Sequence, residues 1–449
     1  MINQKNFLLL ILVIISIIII KSYFQPIESY QEARKALIVK ETSNGSFWFP
    51  TYNGVPYCTK PPLSTWISIP FFKLFSFLEN GEVFSLRLVS IFCYILLAIS
   101  LYFFLEKDLN KVILSFLILF GSYRFLSFIS RIDLEPLFIL FSFFMICSGY
   151  LYIKKNSDRY RMMFYLFLGL TFMIRGPLNW FIIPALIIYG LLYKEKKIFN
   201  LLIYPLGWLV SCLIILPWYA SAYLKFGSAF FDEFLGIDIG DRLTASEKSP
   251  FYYYFKALIV NFCPYFLLLF VSIIKFKQEF LKQLKDKKLG FVLVLALIPV
   301  ILLSFTGQKY DKYLLYLYPL WSLVFLIMLS KYYSYRFLKN LSLIIFSVTF
   351  LAYFIVEIYN LKERSYKIEL LKNSIINTHN IVFWEKENPL MVFYYNKPVK
   401  VVKNKNELLS YAQKNKIISP EIIPWSTVEK VILDPYKNEK WYILTIKKN

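Results

Sequence analysis

The sequence predicts a polytopic α-helical membrane protein, and three observations carry that expectation. The 449 residues are 58% hydrophobic and 20% aromatic, with a mean hydropathy of +0.53, which exceeds what a soluble globular domain carries. Apolar runs of membrane-crossing length recur along the chain, and basic residues collect in alternate loops between them.

Taken in order, residues 7–20 form an unbroken apolar run that, with its flanks, reaches the roughly 20 residues needed to cross a hydrocarbon core of about 30 Å. No small-residue cleavage site follows, so this segment is expected to be an anchor helix. Further apolar segments lie at about 86–105, 112–129, 134–153, 162–174, 177–193, 199–223, 255–274, 289–305, 313–330 and 340–358, for about eleven spans in all. With the N-terminus inside, the inner loops carry Lys154, Lys155, Arg159 and Arg161, then Lys194, Lys196 and Lys197, then the stretch 275–288, then Lys331, Arg336 and Lys339, in accord with the positive-inside rule. The same parity puts residues 24–85, 130–133, 175–177, 224–254, 307–312 and the tail after about 359 outside. The tail changes character to charged and strand-like, with β-type runs at 380–384, 390–395, 399–402 and 441–446 and a helix expected at 405–414. The expected division is a transmembrane unit over 1–358 and a soluble extracytoplasmic α/β domain over 359–449.

Composition narrows the chemistry. Most of the formal net charge of +22 is accounted for by basic inner loops and a basic tail, and the remainder suits an anionic substrate or lipid headgroup. Basic residues dispersed over both membrane faces form no nucleic-acid stripe. The five cysteines lie mostly within spans and show neither paired nor metal-ligand spacing. With His379 as the single histidine, Ser-His-Asp and Cys-His chemistry are set aside, and proton transfer falls to carboxylates, Lys or Tyr. Gly307-Gln308-Lys309 lacks the first glycine and the hydroxyl residue of a phosphate loop, so nothing here drives ATP-powered transport. No cofactor is expected, and a divalent cation is not indicated.

The outer loops carry an ordered set of polar elements: Glu32-x-Arg34; Trp48-Phe49-Pro50; Tyr57-x-x-Lys60-Pro61-Pro62; Phe84-Ser85-Leu86-Arg87; Arg175-Gly176-Pro177; Pro217-Trp218 with Arg242; and Ser304, Lys309, Tyr313 and Pro319. Phe393-Tyr394-Tyr395-Asn396-Lys397-Pro398 follows in the tail. This order resembles the membrane glycosyltransferases of the aminoarabinose transferase and protein mannosyltransferase superfamily over nearly the full chain. The resemblance implies a GT-C fold and transfer of a sugar from a polyprenyl (undecaprenyl) phosphate to an acceptor outside the cytoplasmic membrane of a bacterium. Lipid A phosphate is the acceptor favoured, and a protein or glycan hydroxyl is the alternative within the superfamily.

The resemblance also implies site roles. Lys60, Arg242 and Lys309, supported by Arg34 and Arg131, are the candidates for stabilising the leaving phosphate. Tyr57, Arg87 and Tyr313 are expected to line the substrate cavity. Asp133 and Glu135 are the candidate catalytic carboxylates, with Glu32 beside them. The superfamily's Asp-Glu-x-Arg element reads Gln31-Glu32-Ala33-Arg34 here, so the first acid is missing, and Glu28 nearby is expected to be a solvated loop carboxylate. Thr59 stands where aminoarabinose transferases tend to carry Glu. Each cation has a bland counterpart in snorkelling to the interface, and carboxylates in a first helical turn also favour the helix dipole. A transporter or flippase is the reading from another class, but it places its charges near the midplane and repeats its halves, whereas here the charges gather at one face and no halves repeat. The expected partners are the lipid-linked donor, an envelope acceptor and membrane lipid, with a monomeric enzyme.

Overall fold

The computed structural model describes residues 4–78, 80–231, 249–378, 380–437 and 439–446. Helix α1 (Gln4–Phe24) leads through a short connection into α2 (Tyr30–Asn44). Ser29 caps α2, its hydroxyl accepting from the Glu32 N–H at 3.3 Å, and Glu32 reaches back to accept from the Glu28 N–H at 2.8 Å. This is the reciprocal logic of a capping box, displaced by one residue. A two-stranded hairpin of β1 (Thr51–Tyr52) and β2 (Val55–Pro56) follows, turning through Asn53 and Gly54 at φ 52° and 76°. Pro61-Pro62 then opens α3 (Leu63–Phe75), because proline cannot continue a helix from behind but fits at its start.

The bundle continues with α4 (Gly81–Phe104), α5 (Leu109–Phe120), α6 (Tyr123–Leu126), α7 (Glu135–Lys155), α8 (Asp158–Arg175) and α9 (Ile182–Leu192). Among the described residues, seven helical stretches are long and apolar enough to cross a membrane, or eight if Tyr253–Asn261 and Cys263–Lys275, bent by 97°, make one span. The expected eleven spans condense for local reasons. Segments 162–174 and 177–193 join into one stretch, Asp158–Leu192, with Gly176 at φ 69° between its parts. Segment 112–129 is divided between the short α5 and α6, and the first segment lies within the 21-residue α1. At the bundle centre, Asp311–Leu329 is the most enclosed stretch, with 89% of its apolar window buried.

The last helix, Tyr335–Ile376, runs unbroken for 42 residues, past the expected junction at residue 358, and delivers the chain to a five-stranded sheet. Its strands β3 (Ile381–Trp384), β4 (Val401–Val402), β5 (Lys416–Ser419), β6 (Ser426–Leu433) and β7 (Lys440–Ile446) lie in the order β4-β3-β5-β7-β6. The first three pair in parallel and β7 is antiparallel to both its neighbours. The run 390–395, expected as a strand, is instead the helix Pro389–Tyr395. Asn388 caps it by accepting from the Leu390 and Met391 N–H groups, and Pro389 occupies its first position, so local capping overrides the β-type composition.

One hydrophobic cluster joins the first loop to the tail. It contains Ile27, Ala33, Ala36 and Leu37 around α2, Ile368, Leu371 and Ile375 near the end of the last helix, and Phe383, Leu390, Val399 and Trp441 from the tail. The hairpin tip closes against the same surface. Asn53 accepts from the Val399 N–H at 2.7 Å and donates to the Val399 carbonyl and to Glu387, both at 2.8 Å. Gly54 is required here twice over, by its left-handed φ and because a Cβ would sit 2.9 Å from Pro398.

Candidate active site

The polar residues of the loops gather around the start of α7. Asp133 precedes that helix by two residues, half-buried, with its Oδ1 accepting from the Leu134 N–H at 2.8 Å. It lines a crevice with Lys35 and Val39 of α2, Ser64, Thr65 and Ser68 of α3, and Leu86 and Val89 of α4. Burial acts to raise the Asp133 pKa, but Lys312, Lys35, the Leu134 N–H and Arg131 outweigh it and hold the carboxyl below its ordinary value. The group is therefore a carboxylate through the neutral range.

Glu135 lies deeper. It is 1% exposed and forms ion pairs with Arg175 (2.6 Å) and Lys312 (3.6 Å), yet neither carboxylate oxygen has a well-aligned hydrogen bond. Arg175 stands 4.5 Å from the Tyr313 ring centre. Three chain segments distant in sequence, the start of α7, the end of α8 and the turn at Lys312-Tyr313, thus meet at one buried carboxylate. An Arg buried beside both a carboxylate and an aromatic face is fixed in orientation as well as neutralised.

Glu32 and Arg87, written from the sequence as a catalytic and a cavity residue, form a second centre. Both are fully buried, 3.1 Å apart. Glu32 also accepts from the Glu28 and Ile132 N–H groups, at 2.8 and 2.9 Å, so both its oxygens are occupied by protein donors. Arg87 donates to the Ser22, Gln25 and Pro26 carbonyls at 3.1, 2.5 and 2.7 Å. Burial pushes the Glu32 carboxyl up, against the opposing pull of Arg87 and the two N–H donors.

The remaining candidates are distributed around this core. Lys60 is half-buried, directly ahead of Pro61-Pro62 and the α3 hydroxyls that line the crevice. The Tyr57 ring is 5.9 Å from the Lys35 ammonium, the same cation that helps to hold Asp133 ionised. Arg34 faces the Tyr52 ring at 5.5 Å, towards the hairpin. Arg131 donates to the Ser29 hydroxyl at 3.2 Å and packs on Phe128. Lys309 is buried and donates to the Ser249 and Thr306 carbonyls at 2.8 and 2.6 Å, and burial lowers its pKa. These bonds commit its ammonium to backbone oxygens. Arg242 lies outside the described residues. Gln31, at the position of the missing acid, is exposed. Glu28 is not the solvated carboxylate expected of it: it is half-buried against Gln25, which also donates to Glu357 at 2.7 Å, and burial pushes its carboxyl up.

Three cations of this arrangement were not selected from the sequence. Lys35 stands next to Arg34 in the sequence, and the helix carries the two on different faces. Arg175 belongs to a basic-Gly-Pro element, and Lys312 stands three residues after Lys309. The signal available was the spacing of Lys312 one residue before Tyr313, in a turn where Asp311 is drawn off to Arg124 at 2.7 Å.

With this geometry in view, the comparisons with known proteins are informative. The model of the dolichyl-phosphate-mannose-protein mannosyltransferase family matches residues 59–220, which carry Lys60, Arg87, Asp133, Glu135 and Arg175. An uncharacterized protein of Aquifex aeolicus is 29% identical over 79% of this chain and 70% of its own length. The undecaprenyl phosphate-alpha-4-amino-4-deoxy-L-arabinose arabinosyl transferase of Serratia proteamaculans is 26% identical over 63% of this chain. The crystal structure of ArnT from Cupriavidus metallidurans bound to undecaprenyl phosphate superposes with a TM-score of 0.78, covering 98% of both chains at 12% identity. Residues 59–220 thus match the mannosyltransferase family model, and the whole chain is similar in fold to ArnT. It has the GT-C fold of ArnT and, like ArnT, spans the membrane several times. It corresponds to 52% of the length of the Serratia arabinosyl transferase. In this chain Gln31 is exposed and the neighbouring Glu32 is buried.

Proposed function

We propose that the protein is a glycosyltransferase that moves a sugar from a polyprenyl phosphate donor to an acceptor on the periplasmic side of a bacterial inner membrane, with the phosphate of a lipid A type molecule as the acceptor. The observation that carries this reading is the crevice at Asp133, where one ionised carboxylate is faced by Lys35 and Lys312. The division of labour follows from the bond changes. An acceptor oxygen bonds to the anomeric carbon while the bond from that carbon to the donor phosphate breaks, and the charge released stays on the polyprenyl phosphate. Fixed cations stabilise that charge without waiting for solvent to reorganise. Lys60 is assigned this role with Lys35, with Arg34 and Arg131 in support. Arg242 lies outside the described residues, and Lys309 is bound to the Ser249 and Thr306 carbonyls.

Asp133 orients the acceptor and, for a hydroxyl acceptor, takes its proton. A lipid phosphate is already ionised at neutral pH and needs positioning rather than a base. The absence of the first acid at Gln31, with the cations around Asp133, supports the phosphate acceptor over the hydroxyl of a protein or glycan. Glu135, Arg175 and Tyr313, joined to one another two residues along from Asp133, are assigned a supporting role. In the same reading the N-terminus and basic loops face the cytoplasm, residues 1–358 form the membrane catalytic unit, residues 359–449 form a periplasmic domain over the first loop, and the enzyme works as a monomer.

The test is direct. Purified protein in nanodiscs, given undecaprenyl phosphate linked to aminoarabinose or to hexoses together with lipid A, releases free undecaprenyl phosphate and adds the sugar to lipid A. Lys60→Ala and Asp133→Asn, expressed to normal levels, release none. Absence of release with every donor, in protein of intact fold, overturns the enzyme reading and favours a transporter.

A further inference from the structure

We infer that Glu32 is a positioning residue: it holds the backbone at Ile132 and so fixes Asp133 in the crevice, and it takes no part in proton transfer. The inference rests on the function proposed above, and the geometry at Glu32 leads to it. One oxygen accepts the Ile132 N–H at 2.9 Å, one residue before Asp133. The other is shared by Arg87 at 3.1 Å and the Glu28 N–H at 2.8 Å. A carboxylate enclosed in this way, with no exposed surface, has no lone pair directed at a substrate.

The clamp spans three segments. Arg87, on α4, binds the carbonyls of Ser22, Gln25 and Pro26 at the end of α1 and beyond. Glu32, on α2, joins Arg87 to the segment that carries Asp133. A second fastener acts on the same segment, since the Ser90 hydroxyl of α4 donates to the Arg131 carbonyl at 2.6 Å. The residues on either side of the peptide leading to Asp133 are therefore both held from the bundle, one by its N–H and one by its C=O. A catalytic group mounted on a loop needs such support, because small displacements are enough to lose the reaction.

Glu32→Gln and Glu32→Ala separate positioning from chemistry. An amide oxygen at position 32 still accepts from Ile132, and Arg87 keeps its three carbonyl partners; alanine leaves the Ile132 N–H buried without an acceptor. For Glu32→Ala, kcat falls about 100-fold while KM for the donor stays within about threefold, the scale of a displacement of about 1 Å. Glu32→Gln keeps kcat within about tenfold of wild type and an unshifted pH-rate profile, as expected when the replaced group does not exchange the reacting proton. Hydrogen exchange of the peptide covering 128–134 is faster in Glu32→Ala and close to wild type in Glu32→Gln. Equal loss of turnover in both variants with unchanged exchange overturns the proposal and makes Glu32 a proton-transferring group. If Glu32→Ala does not fold, the kcat and pH profile of Glu32→Gln decide on their own. If the wild-type protein shows no transfer with any donor, the proposed function fails, and the exchange data still decide whether Glu32 holds the loop.

Discussion

At the scale of single residues, the three acids selected from the sequence occupy three different environments. Asp133 is half-buried and ionised, Glu135 is buried on Arg175 and Lys312, and Glu32 is enclosed by protein donors. Lys312 is shared between two of them, being one cause of the low Asp133 pKa and 3.6 Å from Glu135. Replacing it fixes the sign of a pH effect. A carboxyl whose folded pKa is depressed contributes stability above its unfolded value near 3.9, and loses it as pH falls through the folded value. Lys312→Met removes one of the groups that depress Asp133, so the acid limb of kcat/KM moves to higher pH, and the stability that Asp133 contributes shrinks. A pH-rate profile of wild type against Lys312→Met checks the direction; a limb that moves down or stays still contradicts the assignment of Asp133. Asp133 and Glu135 were legible as candidates because a short acidic stretch between two spans stands out in an apolar chain. Their difference was not, since it depends on Arg175 and Lys312, which lie 40 and more residues away in sequence.

At the scale of elements, the hairpin β1-β2 is the piece whose role sequence reading left blank. The Tyr57-to-Pro62 stretch attracted attention for its lysine and its prolines, while Asn53-Gly54 reads as an ordinary turn. In the structure that turn is a hook. Asn53 pairs with both backbone groups of Val399 as a neighbouring strand would, and Gly54 lets the hairpin tip approach Pro398. Asn53→Ala leaves the Val399 N–H and C=O without these partners, at a cost of about 1–3 kcal/mol for buried groups left unmatched. The expected result is faster exchange of the amides near 398–400 and a lower melting temperature, with the membrane helices unaffected. Unchanged exchange there means that the hook contributes nothing to docking. The helix expected at 405–414 is present as Lys405–Ala412, whereas the run 390–395 is the capped helix Pro389–Tyr395, whose β-type side chains pack into the cluster shared with α2 and the sheet.

At the scale of the whole molecule, the membrane character and the presence of a sheet in the tail were legible in composition and periodicity, and the GT-C fold only through the resemblance carried by the ordered loop elements. The joining of the first loop to the tail was not. No pattern in residues 25–80 announces that α2 has an apolar side awaiting a partner, because that side carries mostly alanines and aliphatics ordinary for any helix. The shared cluster makes a clear demand on a truncated chain. Ending the protein at residue 378 uncovers Ala33, Ala36 and Leu37, which share a cluster with Leu390, Met391 and Val399. The shortened protein is expected to insert with its spans intact, to expose α2 to protease and to lose transfer activity. Full protease resistance of α2 in that protein contradicts a structural role for the tail.

The 42-residue last helix, at about 63 Å, is roughly twice the thickness of the hydrocarbon core. It has a consequence in time as well as in space. The contacts it enables join Asn53 to Val399 and Tyr30 to Asp434, separations of 346 and 404 residues. A chain made from its N-terminus therefore completes every span before the first loop receives its cover, and the closing contacts are among the most sequence-distant in the molecule. The region around the crevice is begun first and finished last. Until the final strands arrive, a newly inserted chain carries a fully threaded bundle with an unfinished site, and it is in this interval that a chaperone or a protease would meet the protein.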